Sequence, residues 1–262
     1  MVFKSETVPD QNCERSQISI SDEDALAQAV AYVLIQRYSH AKKIALNTPD
    51  PIPPLNNSDV EAIIKKRLRA TQFHRDGLLF QIITWLWSTT TSTPDEYVDP
   101  PHTQQASHGQ DSIILHLTSD GVSSITVCED KATENPRDTI RDEVWPEIEK
   151  YEAKTRDDEL RSKVVMALSR QHSWEVAEEA ASSIFWDKVK QYRVRITTPP
   201  PYDTGRPASK LFDGFASVAP GAISRRQANT VFMADLRGWM DTFAIKVEEK
   251  LRATQEKTAN VR

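Results

Sequence analysis

The sequence predicts a helix-rich α/β fold built around a small sheet, and three observations carry that prediction. Apolar residues recur at helical spacing along most of the chain. Two β-branched runs, SIILHL (112–117) and SITVC (124–128), flank an Asp-Gly turn, and a third run, YRVRIT, ends in three prolines. Glycine is scarce, with seven in 262 residues, where average usage of roughly 7% would give about eighteen. Few positions therefore demand an unusual backbone, and the chain leans helical.

Residues 1–20 are polar and are expected to be a disordered N-terminus. Ser21 and Asp24 form a capping-box pattern ahead of the stripe Leu26, Val30, Val33, Leu34, Tyr38 and Ala41, which predicts one helix to about Leu46. Pro49, Pro51, Pro53 and Pro54 make a stiff connector. A helix restarts at Ser58, with Val60, Ile63, Ile64 and Leu68 on one face and Lys65, Lys66, Arg67 and Arg69 on the other. Around Gly77 the run LLFQIITWLW is apolar almost all round and predicts a buried helix, with Asp76 as its N-cap. The hairpin follows a Ser/Thr/Pro-rich loop, the stretch from Pro136 to about Tyr192 is helical, and 202–224 reads as loop. Phe232, Leu236, Trp239, Phe243, Val247 and Leu251 mark a last helix over 225–255, opened by Arg225 and Arg226. No composition break divides residues 21–262, which are expected to form a single domain with its core over about 73–200 and helical additions at 21–70 and 225–255.

A net charge of −5 excludes a polyanion-coating protein, so any nucleic-acid contact needs a local basic patch. Lys65 to Arg69, Arg193 with Arg195, and Arg225 with Arg226 are the candidates. Cys13 and Cys128 are too few and too far apart for a zinc knuckle or a disulfide scaffold. With no apolar run of ~18 residues and no apolar leader, a cytoplasmic protein with no membrane partner is expected.

The hairpin carries the chemistry. If its pairing is symmetric about Asp120, Ile113 faces Val127, Leu115 faces Ile125, and Asp111 faces Glu129. Odd-numbered residues then share one face: apolar near the turn, with Asp111, Glu129 and Lys131 at the open end. Carboxylates with Cβ atoms roughly 4.5–5.5 Å apart repel unless a cation lies between them, and hard oxygen donors suit Mg²⁺ with substrate phosphate. An adjacent ammonium orients or activates a water and offsets transition-state charge. Metal, water and lysine together suit phosphodiester hydrolysis. Cys128 alternates to the opposite face and is expected to pack.

Asp111, followed after seventeen residues by Glu129-Asp130-Lys131, resembles the D…(D/E)xK signature of the PD-(D/E)xK nuclease superfamily. The resemblance implies a restriction-endonuclease-like core, a small mixed central sheet flanked by helices, and a DNA endonuclease dependent on Mg²⁺ or Mn²⁺. It implies that Asp111, Glu129 and the backbone carbonyl of Asp130 bind metal and that Lys131 is catalytic. Family members commonly place a Glu four residues after a helix glycine; here Gly77 is followed by Gln81, whose amide either holds a metal-bound water or is satisfied by backbone. The order of elements also resembles the nuclease component of Hachiman-type bacterial anti-phage defence. The chain has no G-x-x-x-x-G-K-[ST] loop, so that resemblance implies a separate helicase or ATPase partner. The alternative is a catalytically inactive nucleic-acid- or protein-binding subunit of a defence complex. His102 and His108 read as solvated loop histidines, and the six tryptophans as core or interface.

Overall fold

The chain begins with a hairpin, not a frayed tail. In the computed structural model, which describes residues 1–48, 60–101, 112–118, 121–169, 173–182, 189–202 and 205–259, strands β1 (Phe3–Val8) and β2 (Glu14–Ile20) pair antiparallel. Helix α1 (Glu23–Leu34) is capped by Asp22, whose carboxylate accepts from Ala25 N at 2.9 Å. Gln36 adopts φ 61°, so the helix expected over 21–46 divides, and α2 (Tyr38–Ala45) leaves in a new direction. A short helix α3 (Val60–Ile63) runs into a π-helical turn, Ile64–Leu68. Helix α4 (Gln72–Thr91) starts before Gly77. Asp76 is thus inside the helix and fully buried, held by Arg75 at 2.7 Å and by Arg237, and is not an N-cap.

Strand β3 (Glu96–Val98) precedes the hairpin β4 (Ser112–Thr118) and β5 (Gly121–Lys131). The pairs Ile113 with Val127 and Leu115 with Ile125 are those expected from the turn. Beyond His116 the register shifts by one residue, and Leu117 pairs with Val122. Gly121 takes φ 136°, closed to side chains. Helices α5 (Pro136–Thr139), α6 (Trp145–Glu152), α7 (Asp157–Leu168) and α8 (Trp174–Ser182) lead to β6 (Lys190–Thr198). Residues 226–232, expected to open the last helix, form strand β7 (Arg226–Phe232), and the C-terminal helix runs Leu236–Ala259.

Among the described residues seven strands form one sheet in the order β1-β2-β7-β6-β5-β4-β3, larger than the small sheet expected. Its middle, β2, β7, β6 and β5, is parallel, and the three outer pairings, β1 with β2, β5 with β4 and β4 with β3, are antiparallel. One face carries Ile113, Leu115, Val127, Tyr192 and Val194 against Ile140, Val144, Ile148, Leu160 and Val164 of the helices after β5. The other receives α1, α2, α4 and the C-terminal helix through Leu26, Val30, Phe80, Ile83, Phe243 and Val247. Each such side chain, fully buried, contributes about 1.5–3 kcal/mol. No helix among the described residues is long and apolar enough to cross a membrane.

The segment 202–224, expected as loop, holds short helices at Gly205–Ser209 and Phe215–Val218 and buries Phe212 and Phe215 in the first of these cores. It is anchored where Trp145 Nε1 and Arg137 Nη1 donate to the Asp213 carbonyl at 3.3 and 2.9 Å. Gly214 then takes φ 92°, and a Cβ there would meet Trp145 Nε1 at 3.2 Å. Gly214→Ala is expected to lower stability by about 1–2 kcal/mol from the left-handed backbone alone, read as a lower urea midpoint with unchanged slope.

Candidate active site at the end of strand β5

Strand β5 stays in continuous parallel register with β6 from Ile125 to Lys131, so alternation of its side chains is unbroken. Glu129 and Lys131 share the face of Val127 and Ile125, and Cys128 and Asp130 lie on the other. Glu129 is 4% exposed at the strand's C-terminal end, and Lys131 Nζ stands 3.4 Å from its Oε2. Glu143, in the turn Ile140–Val144 after α5, approaches the same ammonium at 3.8 Å. Tyr151 is also close: burial chiefly, then the negative charges of Glu159 and Glu129, push its hydroxyl above the usual tyrosine range. The arrangement is a carboxylate out of water beside a cation that remains partly exposed.

Asp111, the residue before β4, lies outside the described residues, as do His102 and His108. The face-to-face pairing of Asp111 and Glu129 is therefore an expectation, supported by the adjoining pairs Ser112 with Cys128 and Ile113 with Val127. Among the described residues no three Asp, Glu, His or Cys side chains are grouped to hold a metal. Oxygen donors at the strand end include the Glu129 carboxylate, the Asp130 carbonyl and, on the far side of Lys131, the Glu143 carboxylate. These are hard donors of the type Mg²⁺ and Mn²⁺ take; the further ligand expected from the sequence, Asp111, lies outside the described residues.

Gln81 is placed less closely. It lies on the stripe of α4 that also carries Thr84 and Ser88, at i, i+3 and i+7. That stripe covers the sheet face of Asp130, opposite Glu129 and Lys131, because Ser88 Oγ and the Thr84 carbonyl accept from Arg195 Nη1 at 2.7 and 3.3 Å.

Arg195 is the residue that sequence reasoning misplaced. It was a candidate for a basic patch, yet it is 0% exposed. Its Nε and Nη2 donate to the two Asp130 oxygens, the second at 2.7 Å, and Nη2 also donates to Ser112 Oγ at 2.7 Å. One guanidinium thus ties together β6, β5, β4 and α4 directly under the strand ends. The Asp130 carboxylate is committed to this pair. The signal available in sequence was an Arg at an apolar-alternating position of YRVRIT with an acid in the middle of the ExK triplet. Arg225 and Arg226 are likewise structural, donating to the carbonyls of Lys190, Asn12 and Ala219. Lys65 and Lys66 remain exposed, and Arg69 pairs with Glu248 at 2.9 Å. Burial pushes the Cys128 thiol above its ordinary value, in keeping with a packing role.

Comparison of the chain with protein-family models and with curated protein sequences finds no match.

Proposed function

We propose that the chain is a metal-dependent DNA endonuclease with a restriction-endonuclease-like core, hydrolysing phosphodiester bonds at the end of β5. One observation carries the reading: a nearly buried Glu129 and a partly exposed Lys131 stand 3.4 Å apart on one face of a strand whose register is unbroken. Glu129, the Asp130 carbonyl and Asp111 would hold Mg²⁺ or Mn²⁺. Such an ion, when bound, polarises a phosphoryl oxygen and lowers the pKa of a bound water. Lys131 orients the attacking water and offsets charge that grows on the phosphoryl oxygens. Burial of Glu129 keeps its carboxylate aimed by the strand, so no ordering is needed when substrate arrives. Gln81, on the α4 stripe that covers the opposite face, is not assigned a reacting atom. The resemblance to anti-phage nucleases makes a helicase or ATPase the partner to seek, with this chain as effector.

The test is cleavage of plasmid and linear DNA by the purified chain. Cutting is expected with Mg²⁺ or Mn²⁺, none with chelator, and a loss of about 10²–10³-fold in Glu129→Gln. No cutting with either metal, with and without the co-purifying ATPase, overturns the assignment. A second reading, a non-catalytic binding subunit, is favoured by one observation: Glu143 also approaches Lys131 at 3.8 Å, as in an ordinary surface ion pair. DNA retardation on a gel that survives Asp111→Asn with Glu129→Gln, without cleavage of wild type, is the outcome that selects it.

A further inference from the structure

On the sheet face opposite Glu129, a cleft of about 630 Å³ opens between β2, β7, β6 and α4, floored in part by Arg193, Gln227 and Asn229 and walled by Trp87. Its size falls within the ~300–1,000 Å³ of small-molecule sites. Two groups in it, a half-buried arginine and a buried amide, are short of partners. Arg193 donates from Nε to Gln227 Oε1 at 2.7 Å and from Nη2 to the same neutral oxygen, with Cζ 5.8 Å from the Trp87 ring centroid. Among the described residues no carboxylate lies at ion-pair distance from it; burial holds its guanidinium below the ordinary arginine value, against the more distant negative charges of Glu96 and Asp130, which act the other way. A desolvated cation without a counter-charge is costly. The second group is Asn229, 5% exposed, whose Nδ2 donates to Ser16 Oγ at 2.7 Å while its Oδ1 is buried and accepts from nothing among the described residues. An orphaned acceptor of that kind is rare in a folded protein.

The positions fix what fits. Arg193, Gln227 and Glu14 are register neighbours across β6, β7 and β2, so the exposed Glu14 stands two strands from Arg193, roughly 9–10 Å away. The cleft's other acid, Asp10, is already matched to Arg15 at 3.9 Å. Of the other acids that act on Arg193, Asp130 is held by Arg195 and Glu96 lies 3.3 Å from His116, so Arg193 is left with no carboxylate at contact distance among the described residues and with an acceptor two residues further along the neighbouring strand. With Nε and Nη2 turned to Gln227, Nη1 is the arginine donor that a phosphate oxygen would meet, and a buried amide oxygen requires an N–H or O–H donor on the same ligand.

We infer that this cleft binds a nucleotide carrying a singly charged phosphate, the phosphate oxygens on Arg193 and a base or sugar donor on Asn229 Oδ1. The site shares no residue with the proposed hydrolytic centre, so either assignment stands or falls alone. The experiment is isothermal titration of the full chain in chelator with 3′,5′-cyclic AMP and GMP, the dinucleotide TpT, uncharged nucleosides and inorganic phosphate. Saturable one-to-one binding is expected for at least one phosphodiester. Nucleosides and inorganic phosphate are expected to bind at least about tenfold more weakly, the scale of one lost charged hydrogen bond. Arg193→Gln is expected to weaken the phosphodiester by a similar factor, with Glu14→Gln binding as well as wild type or better. Preference for the cyclic nucleotides identifies a free small molecule, and preference for TpT a strand. No heat or saturation at millimolar ligand, equal binding of nucleosides, or an unchanged affinity in folded Arg193→Gln overturns the inference; the nucleoside comparison needs no variant.

Discussion

Lys131→Ala is expected to slow DNA cleavage by about 10²–10⁴-fold, the range for removing a positioned acid–base or charge-stabilising group. The loss should fall on kcat. Lys131 is one strand residue at the end of β5, and the DNA backbone would be gripped by many contacts elsewhere, so KM should move little. Stability should fall by more than the ~1 kcal/mol of an exposed pair, because the lysine side chain is 24% exposed but the Glu129 carboxylate that loses it is 5% exposed, so rates are compared on protein shown to be folded. Lys131→Arg keeps the charge but not the compact ammonium, and is expected to stay well below wild type. In the double variant with Glu129→Gln the two losses should not add, since both groups act on one transition state. Single-turnover cleavage with each variant checks this. Wild-type rates in Lys131→Ala would reduce the pair to an ordinary ion pair and return the chain to the binding-subunit reading.

The hairpin was legible because its determinants are local: β-branched runs, a turn residue with φ 136°, and apolar alternation that only one register satisfies. The departures have a common cause, in that their determinants lie far away in the chain. Strand β1, FKSETV, has four exposed residues in succession and no alternation to read; it exists because β2 pairs with it and β7 pairs with β2. Strand β7 carries Phe232 in step with the following helix stripe, yet the parallel neighbours β2 and β6 hold it extended. Asp76 looked like a cap because its partner Arg237 is 161 residues distant. Gln36 broke a helix whose apolar stripe continues past it, an αL residue with no glycine to announce it. In the candidate site, Glu129 and Lys131 were readable from strand alternation, whereas the support beneath them was not. An arginine in a strand reads as solvated until the residues 65 and 83 positions earlier that neutralise and bond it, Asp130 and Ser112, are brought under it.

Arg195→Met is therefore expected to be the most destabilising single change near the site, by about 3–5 kcal/mol, the usual cost of leaving one partner of a buried ion pair uncompensated. Asp130→Leu alone should cost a similar amount, since it removes the carboxylate from a guanidinium whose bonds to the hydroxyls of Ser88 and Ser112 and to the Thr84 carbonyl carry no opposite charge. The double variant Asp130→Leu with Arg195→Met should recover most of the loss, because an apolar pair of similar volume removes both desolvated charges. It should retain a deficit of about 1 kcal/mol for each hydroxyl left without its bond. Urea unfolding of all four proteins closes the cycle, and near-additive losses would show that the pair is not the unit of stability. The double variant also separates fold from function. Arg195 bonds Ser112, which follows Asp111, and Asp130, which lies between Glu129 and Lys131, so it couples the two strands that would share a metal. A folded protein without that coupling should need a higher Mg²⁺ concentration for half-maximal cleavage while its sheet, melting cooperatively, remains intact. Unchanged metal dependence would confine Arg195 to holding β4, β5, β6 and α4 together.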